Sequence, residues 1–144
     1  MKTRTIRQSI WIHAAPKQVY RALMTTRGHA AFTGAEARIS PKVGGAIEAW
    51  NGYIHGTNLE LVPDRKIVQA WRPAEASWPE GHDSKVTFRL TPVRGGTRIG
   101  FTHSAVPAEH AGHLSKGWKE SYWDPLRAYL EPRPSRARGR PRRR

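Results

Sequence analysis

The sequence predicts a single α+β domain in which one strand, two short helices, a long antiparallel meander and a terminal helix follow one another. Three observations support this class. Apolar and polar residues alternate in several separate stretches, as they do in half-buried strands. Glycine and proline turn signals separate those stretches at strand-sized intervals. Near the C-terminus, apolar residues recur every three or four positions, as on one face of a helix.

The first predicted element is a strand from Thr5 to His13, because apolar and polar residues alternate through it. One face of this strand carries Ile6, Ile10 and Ile12. Pro16 stops the strand and suits the first position of a helix, so we expect a helix from Lys17 to Met24. Thr25 or Thr26 then caps a second short helix that extends toward Phe32.

The meander is predicted from turn signals between residues 43 and 103. Gly44-Gly45 bends the chain into a short strand, and the next strand ends at a Pro63-Asp64 turn. Two later segments, Lys85–Leu90 and Thr97–His103, alternate again. The Arg94-Gly95-Gly96 turn between them predicts a hairpin.

The terminal helix is expected from about Pro107 to Leu130. Its apolar stripe contains Leu114, Trp118, Tyr122 and Leu126. Such a stripe must face the sheet. Pro125, after Asp124, lacks a backbone donor and its ring clashes with the carbonyl of Ser121, so we expect a kink there.

The net charge of +14 is unevenly distributed. Residues 133–144 contain seven arginines and no acidic residue, so the rest of the chain carries 18 basic and 11 acidic residues. This composition cannot bury enough apolar surface to offset the entropy of ordering. We therefore expect a folded domain at residues 1–131 and a disordered Arg-rich tail at residues 132–144.

The tail also contains a candidate nucleic-acid motif. Arg138, Gly139, Arg140 and Pro141 match the core of the AT-hook, a segment that lies in the minor groove of A·T-rich DNA. Narrow minor grooves attract arginine, and glycine allows close approach of the backbone. Because the tail is mostly arginine, the same four residues also arise from composition alone, and nonspecific attraction to polyanions is the alternative.

Several classes of protein are disfavoured by what the sequence lacks. It contains no cysteine, which excludes disulfides, thiolate metal sites and cysteine nucleophiles. No apolar run reaches the roughly 20 residues of a membrane span, and the N-terminal residues have no signal-peptide core. We therefore expect a cytoplasmic protein that does not contact membranes.

The histidines and carboxylates form no convincing catalytic or metal set. His110 and His113 lie three residues apart with Glu109 beside them, but the sequence offers no third ligand, so both histidines are expected to be solvent-exposed. His103 and Ser104 are adjacent in a strand and point to opposite faces, which excludes a dyad. No metal, cofactor or nucleotide loop is expected.

Glu48 is the one carboxylate whose role stays open. It lies in a strand between Ile47 and Trp50, and the pattern does not settle which way its side chain points. A polar group that pointed into an interior cavity would be placed for acid or base chemistry.

A series of short motifs resembles one protein family. In chain order these are Gly44-Gly45, Leu61-Val62-Pro63, Trp71-Arg72, Gly95-Gly96-Thr97 and Gly117-Trp118. Together with Trp78-Pro79-Glu80-Gly81-His82, their order resembles the homologues of the activator of the heat-shock protein 90 ATPase, which belong to the START-like (SRPBCC) superfamily. The resemblance implies a helix-grip fold, in which a curved antiparallel sheet wraps round a long C-terminal helix. We expect no counterpart here of the large N-terminal chaperone-binding domain of the eukaryotic activator, and we expect the arginine tail to be an addition.

The resemblance also implies a cavity that binds an apolar ligand between the sheet and the terminal helix. Aromatic rings suit its walls because they combine large apolar faces with a polar edge. The candidates are Trp50, Tyr53, Trp71, Trp118 and Tyr122. The alternative is that these rings simply fill the core.

A protein partner is the other implied class of ligand. Trp78, Pro79 and His82 form a Trp-Pro turn that is expected to present a rigid aromatic anchor to a chaperone. We therefore expect a non-enzymatic binding domain. The alternatives are a START-like enzyme acting on a bulky hydrophobic molecule and a nucleic-acid-associated protein that uses its tail.

Overall fold

The computed structural model describes residues 1–131, and the four predicted tail residues Arg138, Gly139, Arg140 and Pro141 lie outside them. The strands are β1 (Thr3–Ile12), β2 (Arg38–Ile39), β3 (Ala46–Ala49), β4 (Ile54–Val62), β5 (Lys66–Pro73), β6 (Ser84–Val93) and β7 (Gly96–Pro107). The helices are α1 (Pro16–Met24), α2 (Thr26–Thr33), α3 (Ala108–Gly117) and α4 (Asp124–Leu130), with a π-helical segment (Trp118–Trp123) between the last two. The division into a domain and a tail stays a prediction.

The strands form one antiparallel sheet of seven in the order β1-β7-β6-β5-β4-β3-β2. Consecutive strands from β2 to β7 are neighbours, which is the predicted meander, and β1 pairs with β7 at the far edge. Register shifts interrupt β1 between Arg4 and Ile6 and β4 between Asn58 and Glu60. Such bulges bend strands and increase their twist, so they contribute to a sheet that curves.

The two N-terminal helices begin and end close to their predicted positions. Pro16 is the first residue of α1, and the Gln18 side chain accepts a hydrogen bond of 2.9 Å from the backbone N–H of Ala15. Thr25 caps α2 by accepting from the N–H of Gly28 at 3.0 Å. β2 was not predicted, because two residues are too few to show an alternating pattern.

The predicted turns of the meander are also present. Gly44 has φ +83° and Gly95 has φ +81°, values that L side chains rarely adopt. Asp64 follows Pro63 with φ +65° in the turn between β4 and β5. The glycine pairs are therefore bends in the chain, as their sequence context indicated.

The expected interruption of the terminal helix takes the form of a wider helical turn. The N–H of Asp124 bonds to the carbonyl of Lys119, five residues earlier, instead of four. Pro125 follows within the first turn of α4, where a missing N–H is tolerated. The π-helical segment thus absorbs the conflict that Pro125 would create in a regular α-helix.

The core lies between the sheet and this C-terminal helical stretch. Trp118 is 3% exposed, and its ring centroid lies 4.3 Å from that of Phe101 and 6.0 Å from that of Phe88 on the sheet. Tyr122, Trp123 and Leu126 are buried on the same side. The prediction that the apolar stripe faces the sheet is therefore confirmed, and the fold has the helix-grip layout.

Candidate functional site

A cavity of about 390 Å³ lies between the C-terminal helical stretch and the β3–β5 side of the sheet. All five aromatic residues singled out in the sequence line it. The complete lining is Trp50, Tyr53, Ile54, Trp71, His113, Leu114, Gly117, Trp118, Ser121 and Tyr122. The structure therefore brings the predicted ligand-binding residues together, while ligand binding itself stays a prediction.

The inner wall of the cavity is a stack of aromatic rings. The rings of Trp71 and Trp118 are stacked with centroids 4.9 Å apart and an interplanar angle of 28°. Tyr122 meets Trp118 edge-on at 4.7 Å. All three are buried, so they fill the core and also present one face to the cavity. The same residues thus fill the core and line the cavity, while a ligand-binding role for them stays a prediction.

The outer wall is held in an unusual backbone conformation. Trp50 and Asn51, between β3 and β4, have φ of +57° and +58°, a left-handed region that costs a bulky residue about 1 to 2 kcal/mol. Asn51 secures this turn, because its side-chain oxygen accepts from the N–H of Glu36 at 2.8 Å and its own N–H donates to the carbonyl of Glu36 at 3.1 Å. The fold thus keeps the Trp50 ring over the cavity at a conformational cost.

Gly117 lines the cavity from the helix side and was not among the predicted site residues. A Cβ atom built at Gly117 would meet nothing within 4 Å. Its φ of −61° and ψ of −39° are ordinary helical values, so the backbone does not require glycine here. The signal for this role was available in the Gly117-Trp118 motif, which places the smallest residue beside a wall of the cavity.

The tyrosine hydroxyls of the lining are already engaged. The Tyr122 hydroxyl is hydrogen-bonded to Nε2 of His29 in the core. Burial raises the pKa of Tyr122 and lowers the pKa of His29 to about 4. The Tyr53 hydroxyl donates to Glu75, and desolvation followed by that hydrogen bond raises the pKa of Tyr53. Both phenols therefore stay protonated at neutral pH.

Ser84 and His103 are hydrogen-bonded beneath the cavity, but the direction of that hydrogen bond does not suit a serine nucleophile. His103 Nδ1 accepts from the indole N–H of Trp118 at 3.0 Å, so the proton of the neutral ring is on Nε2. That N–H donates to the Ser84 hydroxyl at 2.8 Å, and Ser84 donates onward to the Trp71 carbonyl at 3.0 Å. Burial lowers the pKa of His103 to about 3. Because His103 donates to the serine, it cannot act as its base.

Glu48, whose direction the sequence left open, lies on the outer face of the sheet. Ile47 and Ala49 on either side of it are buried, whereas the Glu48 side chain is 40% exposed. Its carboxylate lies 3.5 Å from Nδ1 of His55, which is also exposed. This position removes the reason for considering Glu48 as an acid or base in the cavity.

Two expectations about exposure are wrong. His110 is 4% exposed, not solvent-exposed, because its ring packs against Trp78 with centroids 5.2 Å apart. Trp78 is 6% exposed and donates its indole N–H to the carbonyl of His82 at 2.8 Å. Trp78 therefore belongs to the core, and the turn formed with Pro79 and His82 does not present it as an anchor for a partner.

The described part of the chain, residues 1–131, contains no helix long and apolar enough to cross a membrane.

Comparison with known proteins agrees with the fold and the motifs. The family model described as "Activator of Hsp90 ATPase homolog 1-like protein" matches residues 13–131. The chain belongs to this family. The human activator of 90 kDa heat shock protein ATPase homolog 1 is 30% identical over 113 residues, which are 78% of this chain and 33% of the human protein. The chain thus spans about a third of the length of the curated relatives it matches.

Solved structures confirm the START-like fold of this family member. An HSP90 activator from Plasmodium falciparum has a TM-score of 0.74 at 22% identity, covering 89% of this chain and 95% of that chain. The Aha1 dimer from Colwellia psychrerythraea also has a TM-score of 0.74, at 25% identity, covering 89% of this chain and 96% of that chain. The curved seven-stranded sheet and the long C-terminal helical stretch are shared features of the fold.

Proposed function

We propose that this family member is a binding domain that takes up an apolar small molecule in the cavity between the sheet and the C-terminal helical stretch. The observation that carries the proposal is the aromatic cavity itself. Its volume of about 390 Å³ falls within the range of about 300 to 1,000 Å³ that small-molecule sites occupy. Buried aromatic walls favour a ligand with a flat or branched hydrocarbon body.

The polar groups of the lining favour binding over catalysis. Tyr122 and Tyr53 each hold a hydrogen bond to another side chain, with His29 and Glu75 respectively. Beneath the lining, His103 and Ser84 are arranged so that the histidine donates. These four groups are therefore hydrogen-bonded within the protein and do not converge on a reacting atom.

Thermal unfolding in the presence of fatty acids, sterols and polyphenols tests the proposal. A ligand at about 100 times its dissociation constant should stabilise the fold by about 2.7 kcal/mol. Native mass spectrometry of the freshly purified chain adds a check for a molecule that co-purifies. If no compound shifts the transition and the cavity side chains prove collapsed in solution, the domain is an interaction module without a small ligand.

A chaperone contact is the second candidate, and the 30% identity to the human activator of the 90 kDa heat shock protein ATPase supports it. Because the chain spans a third of that relative, binding and stimulation have to be measured separately. Purified chain should bind a cognate chaperone of this class and raise its ATPase rate. Binding without stimulation would limit the domain to docking, and no binding would refute this candidate.

A further inference from the structure

Three ligating side chains from two segments of the chain meet beside the cavity. Glu75 comes from the loop between β5 and β6, and His110 and His113 come from successive turns of α3. One ligand atom from each residue lies within 4.8 Å of the other two. Glu75 Oε2 is 3.6 Å from His113 Nε2 and 4.0 Å from His110 Nδ1. The sequence did not reveal this cluster, because Glu75 is 35 residues before His110.

The surroundings of His110 decide which of its nitrogens carries the proton. Nε2 lies 3.4 Å from the carbonyl oxygen of Ser77 and 3.3 Å from its hydroxyl. A carbonyl only accepts hydrogen bonds, so the neutral ring carries its proton on Nε2 and has a lone pair on Nδ1. Nδ1 lies 4.0 Å from the Glu75 carboxylate, which is also an acceptor.

Nδ1 of His110 is buried and has no hydrogen-bond partner within residues 1–131. Buried polar atoms normally have a partner, and a proton or a metal ion between two acceptors that face one another would stabilise them. We infer that Glu75, His110 and His113 bind a divalent transition-metal ion, with zinc as the best match. Two imidazoles and one carboxylate form a common three-residue zinc set.

The geometry needs little adjustment to hold such an ion. Zinc bonds to nitrogen and oxygen are about 2.0 to 2.2 Å long, so ligand atoms at the corners of a tetrahedron lie about 3.4 Å apart. The two separations from Glu75, 3.6 and 4.0 Å, exceed this by a few tenths of an ångström, and the ligand atoms of the two histidines lie within 4.8 Å of one another. The His113 side chain is 55% exposed and Glu75 lies in a loop, so both have room to move.

Supporting hydrogen bonds resemble those that orient metal ligands elsewhere. Metal-binding histidines usually donate their second N–H to a carbonyl or carboxylate, and ligating carboxylates usually accept a further hydrogen bond. The Ser77 carbonyl serves His110 in this way, and the Tyr53 hydroxyl serves Glu75. The Tyr53 contact was not used to infer the site, so it supports the site independently.

Three protein ligands leave the fourth position of a tetrahedral ion open. His113 and Tyr53 both line the cavity, so the ion would lie at its edge. A carboxylate or hydroxyl on a cavity ligand would then be able to complete the coordination. This last consequence rests on the proposed function, whereas the metal site does not.

The test is a calorimetric titration of the full chain with zinc, after a chelator has removed bound metal and with no apolar ligand present. One equivalent should bind. Glu75→Gln and His113→Ala should each weaken binding by at least about 10- to 100-fold, because loss of supporting groups alone has that effect. Cobalt(II) should give the visible absorption bands of a tetrahedral site, and Tyr53→Phe should weaken binding by about 10-fold.

His55→Ala is the matched control, because His55 and Glu48 form a similar exposed pair at 3.5 Å for which residues 1–131 supply no third ligand. It should leave the zinc affinity unchanged. Circular dichroism of each metal-free variant checks folding. If the wild type did not bind zinc stoichiometrically, the inference would be overturned and the cluster would be a histidine–carboxylate ion pair. If His55→Ala and His113→Ala weakened zinc binding equally, the binding would be adventitious and at the surface. Since no cavity ligand is used, failure of the proposed function would leave this result intact.

Discussion

A larger side chain at Gly117 should fill the cavity from the helix side and abolish ligand binding without destabilising the fold. Gly117 lines the cavity, has helical backbone angles, and offers open space to a Cβ atom. Gly117→Leu should therefore project an apolar side chain into the cavity without backbone strain. Replacing glycine inside a helix with a good helix former stabilises it by about 0.8 kcal/mol. The variant should be slightly more stable than the wild type without ligand and should lose ligand binding.

Gly112→Leu is the matched control. Gly112 also lies in α3, is exposed, and has nothing within 4 Å of a built Cβ atom. It should gain a similar helix contribution and keep full ligand binding.

The assay is thermal unfolding with and without a ligand at about 100 times its dissociation constant. A stabilisation of about 2.7 kcal/mol corresponds to a rise in Tm of about 5 to 11 °C for a domain of this size. The wild type and Gly112→Leu should show this rise, and Gly117→Leu should not. Equal ligand-induced shifts in all three proteins would refute the assignment of the cavity, and a large loss of stability in Gly117→Leu would refute its openness.

The remaining predictions concern the core, pH and the tail. Trp78→Ala should lower the free energy of unfolding by about 3 to 5 kcal/mol, as for other buried large-to-small changes. At the exposed control position, Glu80→Ala should change it by less than about 0.5 kcal/mol. If urea unfolding showed the two variants to be equally stable, Trp78 would be exposed and available to a partner. Burial lowers the pKa of His29 to about 4 and that of His103 to about 3, so below the unfolded histidine pKa near 6.5 the unfolded chain binds more protons than the folded chain. The free energy of unfolding should therefore fall as the pH is lowered, by about 2 kcal/mol per histidine at pH 5. Urea unfolding at pH 7 and pH 5 checks this, and His103→Gln should reduce the difference in unfolding free energy between the two pH values. An unchanged difference in that variant would contradict the role of His103. For residues 133–144, we propose attraction to polyanions: if about five arginines contact phosphates, log affinity for duplex DNA should fall with log salt concentration at a slope near −4.5. Equal affinity for A·T-rich and G·C-rich duplexes would exclude AT-hook recognition. Undiminished binding after deletion of these residues would place the nucleic-acid-binding surface elsewhere.

Most of the fold was predictable because its signals are local. The alternation in β1, the threonine cap of α2 and the glycine turns of the meander each depend on a few neighbouring residues. The break before Pro125 was predictable for the same reason, since the conflict with the preceding turn is local. Its resolution as a π-helical turn was not, because this depends on how Trp118 and Tyr122 pack against the sheet.

The candidate site was predictable only where the residue type itself carried the signal. The large aromatic residues suggested cavity walls, and all five line one cavity. Exposure was harder to predict, because Trp78 and His110 become buried by packing against one another across 32 residues of chain. Glu75 and His113 are likewise distant in the sequence, because β6 and β7 lie between them. Long-range proximity of this kind leaves no pattern in a single sequence.

If the aromatic cavity binds a ligand, the tryptophans that line it should report the binding. Trp50, Trp71 and Trp118 line the cavity, whereas Trp11 is 46% exposed on β1. In a two-dimensional NMR titration with an apolar ligand, the indole N–H signals of the three cavity tryptophans should shift together and saturate at one equivalent, while Trp11 stays in place. Unchanged signals from the cavity tryptophans, or a shift confined to Trp11, would contradict ligand binding in the cavity.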